Sequence, residues 1–347
     1  MRGFYRALIR RSLNLIIVLF AILVVTYALL GETFDKLLKI NIEQEVQQQN
    51  REIRFPSPEA RQEYLDSQEQ LRKNSLGLNE PWYSPKRFFN TIFKVMVLDL
   101  GRSNFFTSHN GSPAVLDIIA ERIPRTLLLF TSATIISIII GLYLGPYLAY
   151  KFGRVLDKTN IFLAMYSIGL ASWWVGMLMI YVFAFVFPIF PARSIPSSSP
   201  SDPFYIIDLL YHMTLPLITL VLPSIPATAY LMRYLVINIL EEDFIKAKRA
   251  IGIPNKKILY SHAIRNAAPP LLTVIILSLQ GSFGGAILTE IVFSWPGIGS
   301  LFYEAITEED MPVIIGLVYV YTLIFIIAVL VLDVTYSLFD PRVRAIG

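Results

Sequence analysis

The sequence contains no cysteine. Disulfides, thiolate metal sites and cysteine nucleophiles are therefore excluded. Histidine is scarce: His109, His212 and His262 lie too far apart in sequence to suggest a metal cluster. No Gly-rich phosphate loop with a following Lys is present, which excludes ATP binding by that route. No Gly-x-Ser-x-Gly element is present either. Intramembrane protease and metal-transporter readings thus lack residues, and the chain is not read as an enzyme. Charge is also scarce, at 16% of residues, where soluble domains hold about 25%. The net charge of +4 is modest. The basic residues sit beside apolar runs and not on one continuous face, so nucleic acid is not an expected partner.

What is present is apolar sequence, 54% of the 347 residues. A helix needs roughly 20 apolar residues to cross the hydrocarbon core. Six blocks approach or exceed that length: Leu13 to Leu30, Thr126 to Ala149, Ile161 to Phe187, His212 to Ile237, Leu271 to Phe293 and Val313 to Phe339. The first follows Arg2, Arg6, Arg10 and Arg11, as a signal peptide would. It is too long for an ordinary signal-peptide core and no small-residue cleavage pattern follows, so it reads as a retained helix. The fourth holds Pro216, Pro223 and Pro226, which in a bundle are expected to kink the helix. Residues 188 to 203 are rich in Pro and Ser and read as a loop.

The bias of Lys and Arg in short loops orients the spans. With the N-terminus in the cytoplasm, the inner segments hold Lys151, Arg154 and Lys158, then Lys246, Lys248, Arg249, Lys256, Lys257 and Arg265, then Arg342 and Arg344. The short outer loops hold Arg193 in one, and no Lys or Arg between Trp295 and Met311. Both termini are then inside. The polar stretch 32 to 120 and the acidic loop with Glu304, Glu308, Glu309 and Asp310 are outside. Within the polar stretch, Ser57-Pro58-Glu59 reads as a helix start, with the helix running to about Lys73.

Two acids stand out near or in the spans: Glu290 by the outer end of the fifth and Asp333 in the last third of the sixth. Each is either an interfacial or inter-helix hydrogen-bonding group or part of a substrate path. A proton-coupled carrier would be expected to show more buried acids. Phe293, Trp295 and Pro296, at an outer helix end, fit either an interfacial aromatic belt or a gate.

The loop between spans four and five is the most informative. From Glu241-Glu242-Asp243 to Lys256-Lys257 the acids come first and the bases follow, matching a helix dipole. Phe244, Ala247, Lys248 and Ile251 share a helical face. Gly252 permits the left-handed turn that ends a helix. A second short helix is expected after Pro254, through Ile258, Leu259 and Ala263 towards Arg265. Spacing leaves two readings open, an interfacial anchor pair and a docking element for a soluble partner.

At this loop the sequence resembles the permease subunits of bacterial and archaeal ABC importers, whose EAA loop carries a short coupling helix ending at Gly. Glu242-Asp243-Phe244-Ile245-Lys246-Ala247 through Gly252 is similar to the dipeptide/oligopeptide form, E-D-[YF]-I-[RK]-x-A-[RK]-A-K-G. Lys248 and Ile251 depart from it, standing where Ala and Lys are usual. Further similar stretches follow in order. They are Leu76 to Pro81, Asp99 to Ser103, Arg122 to Leu127, His262 to Ala267 with Pro270, Gly284 to Ala286, Glu290 to Gly299, Asp310 to Val313, Asp333 to Tyr336 and Asp340 to Arg344. The first-position permease, with its large outer insert, is the closest type.

The resemblance implies an all-α membrane protein with six transmembrane helices, both termini cytoplasmic, and the ABC type I importer permease fold with an extracytoplasmic insert after helix 1. The expected division is a tail and first helix (1–31), an extracytoplasmic insert (32–120) and a five-helix core (121–347) with the coupling loop at 238–268. The implied site is the ATPase contact, Glu242, Phe244, Lys246, Ala247, Arg249 and Gly252. Glu290, Phe293, Trp295 and Pro296 are candidate gate or binding-protein contacts. No catalytic or metal-binding residue is expected. The implied partners are a second, non-identical permease, two ATPase subunits carrying ATP and Mg, an extracytoplasmic binding protein and membrane lipid. The cargo implied is short peptides, with oligosaccharides as the alternative and a stand-alone secondary carrier as a third reading. The implied location is the cell membrane.

Overall fold

The computed structural model describes residues 2–50, 53, 55, 57–75, 78–103, 105–199 and 201–339. The Asp340 to Arg344 stretch, Leu76 and Gly77 lie outside these residues, as do the side chains of Arg2, Arg6, Arg10, Arg11 and residues 332–339, Asp333 included. Among the described residues the chain is helical, with one isolated antiparallel bridge between Arg102 and Ala114. Helices follow from the composition, because in lipid every backbone N–H and C=O must find its partner within the protein.

Helix α1 spans Arg2–Gln49, α2 Pro58–Ser75 and α3 Pro85–Met96. Next come α4 (Val115–Tyr150), α5 (Val155–Gly169) and α6 (Ser172–Ile180), the last continuing as a π-helical turn at Tyr181–Val186. Then α7 (Tyr205–Leu240) leads to α8 (Asp243–Ala250) and α9 (Asn255–Lys257). A π-helical stretch at Ile258–Ala263 joins α9 to α10 (Ile264–Ser282), and α11 (Ile287–Phe293), α12 (Ile298–Thr307) and α13 (Met311–Phe339) complete the chain.

Four segments are each long and apolar enough to cross a membrane: Leu13–Gln44 within α1, all of α4, all of α7, and Met311–Val331 within α13. Two bent pairs qualify when taken together, Val155–Gly169 with Ser172–Val186 at 99° and Asn255–Ala267 with Pro269–Ser282 at 58°. Counting each pair as one span gives the expected 6. The third span is thus broken, at Leu170 and Ala171, which are both extended. The bend in the fifth falls at Pro269 and Pro270, where missing N–H groups weaken the ladder.

Three expectations need correction. The first helix does not stop at Leu30 but runs on to Gln49. No proline interrupts it, and the ion pairs Lys36–Glu32 and Lys39–Asp35, each 2.7 Å, add i,i+4 support. The fifth span ends at Ser282, not Phe293, because Gly285 takes φ +62° and Ala286 is extended. The second loop helix is not separate: it passes through the π-helical stretch into α10. The helix expected from Pro58 is present, with the Ser57 hydroxyl accepting from the Ala60 N–H at 3.2 Å.

The chain forms two compact units. One contains Ala120–Tyr303 with the described residues before Leu8 and after Leu323. In it α4 crosses α7 through two small residues four apart. A Cβ on Gly141 would lie 2.6 Å from the Thr228 side chain, and one on Gly145 2.5 Å from Met232. Small residues at this spacing let two backbones approach. Beside the crossing, Ala149, Met232, Val236, Leu259, Ala263, Ala267 and Leu271 form a buried cluster. The other unit contains Leu8–Ile119 and Glu304–Leu323. There the far end of α1 packs Leu38, Ile42 and Val46 against Leu65 and Leu78. Asp35 pairs with Arg87 at 2.5 Å, and Asp310 accepts from the Ser103 hydroxyl at 2.6 Å.

Gly145→Val should lower the melting temperature of the purified chain in detergent, at a cost of about 1–3 kcal/mol from overpacking. Gly169→Ala, whose Cβ would meet nothing within 4 Å, should leave it nearly unchanged.

Candidate functional site

Helix α8 opens on Glu242, whose backbone is extended, and carries Asp243 in its first turn and Lys248 and Arg249 in its last. It ends in a Schellman turn. The Gly252 N–H donates to the Arg249 carbonyl at 3.0 Å, and the Ile253 N–H donates to the Lys248 carbonyl at 3.2 Å. Gly252 sits at φ +83°, a conformation in which any side chain is strained. Ile245 is fully buried, and the helix packs against the Ile258–Ala263 stretch and the end of α7.

This burial divides the face shared by Phe244, Ala247, Lys248 and Ile251. Phe244 and Lys248 are half-buried, with the Lys248 ammonium 5.6 Å from the Phe244 ring centre. Ala247 and Ile251 instead point outward, and Ile251 is 76% exposed. Glu242, Lys246, Arg249 and Gly252 are exposed as well. Lys246 pairs locally with Asp243 at 2.8 Å, an exposed contact of the kind that contributes little. Five of the six expected ATPase-contact residues therefore lie on an open surface, and the sixth, Phe244, is half-buried.

The second group of expected residues is interior. Glu290, Phe293 and Trp295 are fully buried, and Pro296 is half-buried. The Thr126 hydroxyl donates to Glu290 Oε1 at 2.8 Å and accepts the Ile298 N–H at 2.8 Å. The Ser300 N–H donates to Glu290 Oε2 at 2.9 Å. The Trp295 indole N–H donates to the Arg125 carbonyl at 3.0 Å, and the Ser194 N–H donates to the Phe293 carbonyl at 2.8 Å. A Cβ on Gly297 would fall 2.4 Å from the Thr126 hydroxyl and 2.5 Å from Glu290 Oε2. Glycine is required there because the carboxyl group is held against the backbone. The arrangement ties the start of α4 to α11, to α12 and to the loop before α7. Trp295 is therefore not part of a lipid-facing belt.

A third polar pair went unnoticed in the sequence. Arg233, near the end of the fourth apolar block, forms a buried ion pair with Asp157, its guanidinium reaching Oδ2 at 2.8 Å. The Gly153 N–H also donates to Asp157 Oδ2, at 2.9 Å, and the Phe152 ring lies 5.1 Å from the guanidinium carbon. The readable signal was a lone Arg inside a span. Among the described residues no three His, Asp or Glu side chains converge as a metal site.

Residues 137–345 match the family model described as binding-protein-dependent transport system inner membrane component. The chain belongs to this family. A Bacillus subtilis relative, named oligopeptide transport system permease protein AppB, is 27% identical over 77% of this chain and 82% of its own length. Two relatives are named dipeptide transport system permease protein DppB. The one from Alkalihalophilus pseudofirmus is 31% identical over 78% of this chain and 84% of its own length. The one from Escherichia coli is 30% identical over 78% and 83%. As an inner membrane component of such a system, the chain is a multi-pass protein of the cell membrane, and its family works with other components of ABC transporters.

In this transport component Glu290→Ala would leave the Thr126 hydroxyl and the Ser300 N–H without their acceptor. The expected loss is about 1–3 kcal/mol for each group, read as a lower melting temperature in detergent. Glu290→Gln, which keeps an acceptor oxygen, should recover part of that loss.

Proposed function

We propose that this chain is one of two non-identical permease subunits of an ATP-driven importer of short peptides. The observation that carries the proposal is α8: a short helix held by Ile245, stopped by Gly252, and otherwise open along Glu242, Lys246, Ala247, Arg249 and Ile251. That surface suits insertion into a groove of an ATPase subunit. Two ATPase subunits hold ATP and Mg and hydrolyse ATP, while this chain moves. Alternating access follows if closure of the ATPase pair pulls on α8.

The Lys and Arg bias supports cytoplasmic termini, a cytoplasmic α8, and residues 32–120 outside, where a binding protein delivers cargo. The division into tail and first helix, outer insert and five-helix core follows that orientation. Glu290, Phe293, Trp295 and Pro296 serve in this reading as the lock behind an outer gate, since their burial favours holding over touching. Peptide cargo is supported by the names of the relatives, which refer to dipeptides and oligopeptides. They do not favour oligosaccharides.

Membrane vesicles containing the complete importer should take up a labelled tripeptide, and not maltotriose, when ATP is supplied on the ATPase side. Gly252→Pro demands φ near −65° where the chain has +83°. It should leave the protein in the membrane and abolish uptake. Normal uptake by this variant would refute the role of α8, and uptake of maltotriose alone would refute the peptide reading.

A further inference from the structure

Helix α3 divides into three arcs. Ile92 and Val95 are buried. Lys86, Asn90 and Lys94 recur every four residues along a polar arc. Between these lies an aromatic arc, with Phe89 60% and Phe93 65% exposed, and Tyr83 just before the helix is 70% exposed. Two ties fix the depth of α3. The Tyr27 hydroxyl, near the end of the first apolar block, donates to the Trp82 carbonyl at 2.9 Å, and its ring meets Phe88 edge-on at 5.3 Å. The Tyr319 hydroxyl, early in α13, donates to the Met96 carbonyl at 3.0 Å. The helix is thus held against two apolar helices, and its exposed aromatics match a helix seated in a membrane surface.

The polar arc borders a cavity of about 760 Å³. Phe34, Leu38, Pro312 and Ile315 line one part of it, and Lys86, Lys94 and Arg102 another. Arg87 is committed to Asp35 at 2.5 Å and Lys86 to Glu80 at 3.4 Å. Among the described residues Lys94 and Arg102 have no carboxylate partner, and Asp99 is the one lining acid besides Glu80. Lining cations therefore exceed lining acids.

We propose that this cavity binds the phosphate headgroup of an anionic phospholipid between Lys94 and Arg102, with the acyl chains running along Phe89 and Phe93. The chemistry recognised is a phosphate diester headgroup of net negative charge joined to an apolar tail. A free anion would have no use for the exposed aromatics beside the cations. The outer leaflet is the source, and that assignment alone rests on the orientation given above.

The test uses the purified full chain in detergent, without cargo or ATP, so its failure leaves the importer reading untouched. Native mass spectrometry measures retention of dioleoyl phosphatidylglycerol against dioleoyl phosphatidylcholine. Phosphatidylglycerol should be retained preferentially. Lys94→Gln and Arg102→Gln, both at exposed positions, should each weaken retention about five-fold, and Lys94→Arg should preserve it. Equal retention of both lipids overturns the proposal. So does undiminished retention in the Lys94→Gln/Arg102→Gln double variant, or displacement of the lipid by an equal concentration of inorganic phosphate or of a tripeptide.

Discussion

Hydrocarbon offers no hydrogen-bond partner, so any polar group that enters it must be satisfied within the chain. The same holds for a polar group buried in protein, and the Ala120–Tyr303 unit is organised around two buried carboxylates. Glu290 receives the Thr126 hydroxyl and the Ser300 N–H, and glycine at 297 and 299 leaves room for its carboxyl group. Asp157 receives Arg233 and the Gly153 N–H. Each draws together elements far apart in sequence: α4 with α11 and α12 in one case, the α4–α5 corner with α7 in the other. Breaking either pair would leave an unpaired polar group in an apolar interior, which is why buried pairs of this kind are so costly to disrupt.

These ties bear on how force would pass through the molecule. The Asp157–Arg233 pair grips α7 two turns before it ends at Leu240, and α8 begins three residues later. On the other side of α8, Gly252 and Pro254 lead through a π-helical stretch into α10. The short helix is therefore mounted between two long ones, with Ile245 buried beneath it. A pull on α8 would be carried into α7 and α10 as rigid elements. In the proposed cycle this mounting converts closure of the ATPase pair into movement of the core.

Much of this architecture was legible in the sequence. Hydropathy located six apolar blocks, Ser57-Pro58 marked the start of α2, and Gly252 marked the end of α8. What escaped depended on tertiary contacts. Gly169 and Ser172 flank the break at Leu170 and Ala171, but inside a long apolar block they do not by themselves call for one. The eight-residue α8 is too short for its periodicity to choose between a face through Ile251 and one through Ile245; packing on Ile258–Ala263 decides. The end of the fifth span was misplaced because Gly284-Gly285-Ala286 looks apolar, and only the φ of +62° at Gly285 shows the chain turning. Trp295 fitted either an interfacial belt or a gate, and its indole N–H finds the Arg125 carbonyl in the interior. Arg233 was legible and overlooked.

The central claim is that the outward face of α8 sits in an ATPase subunit. The absence of cysteine makes a direct measurement straightforward, because Ala247→Cys introduces the sole thiol in the chain. In the assembled importer, a short thiol-to-amine cross-linker should join this position to an ATPase subunit, with a yield that changes on adding ATP. The same reagent on Gly111→Cys, in the segment assigned to the outside, should give no ATPase adduct. An adduct from position 111, or none from position 247 in an importer active in uptake, would contradict the account.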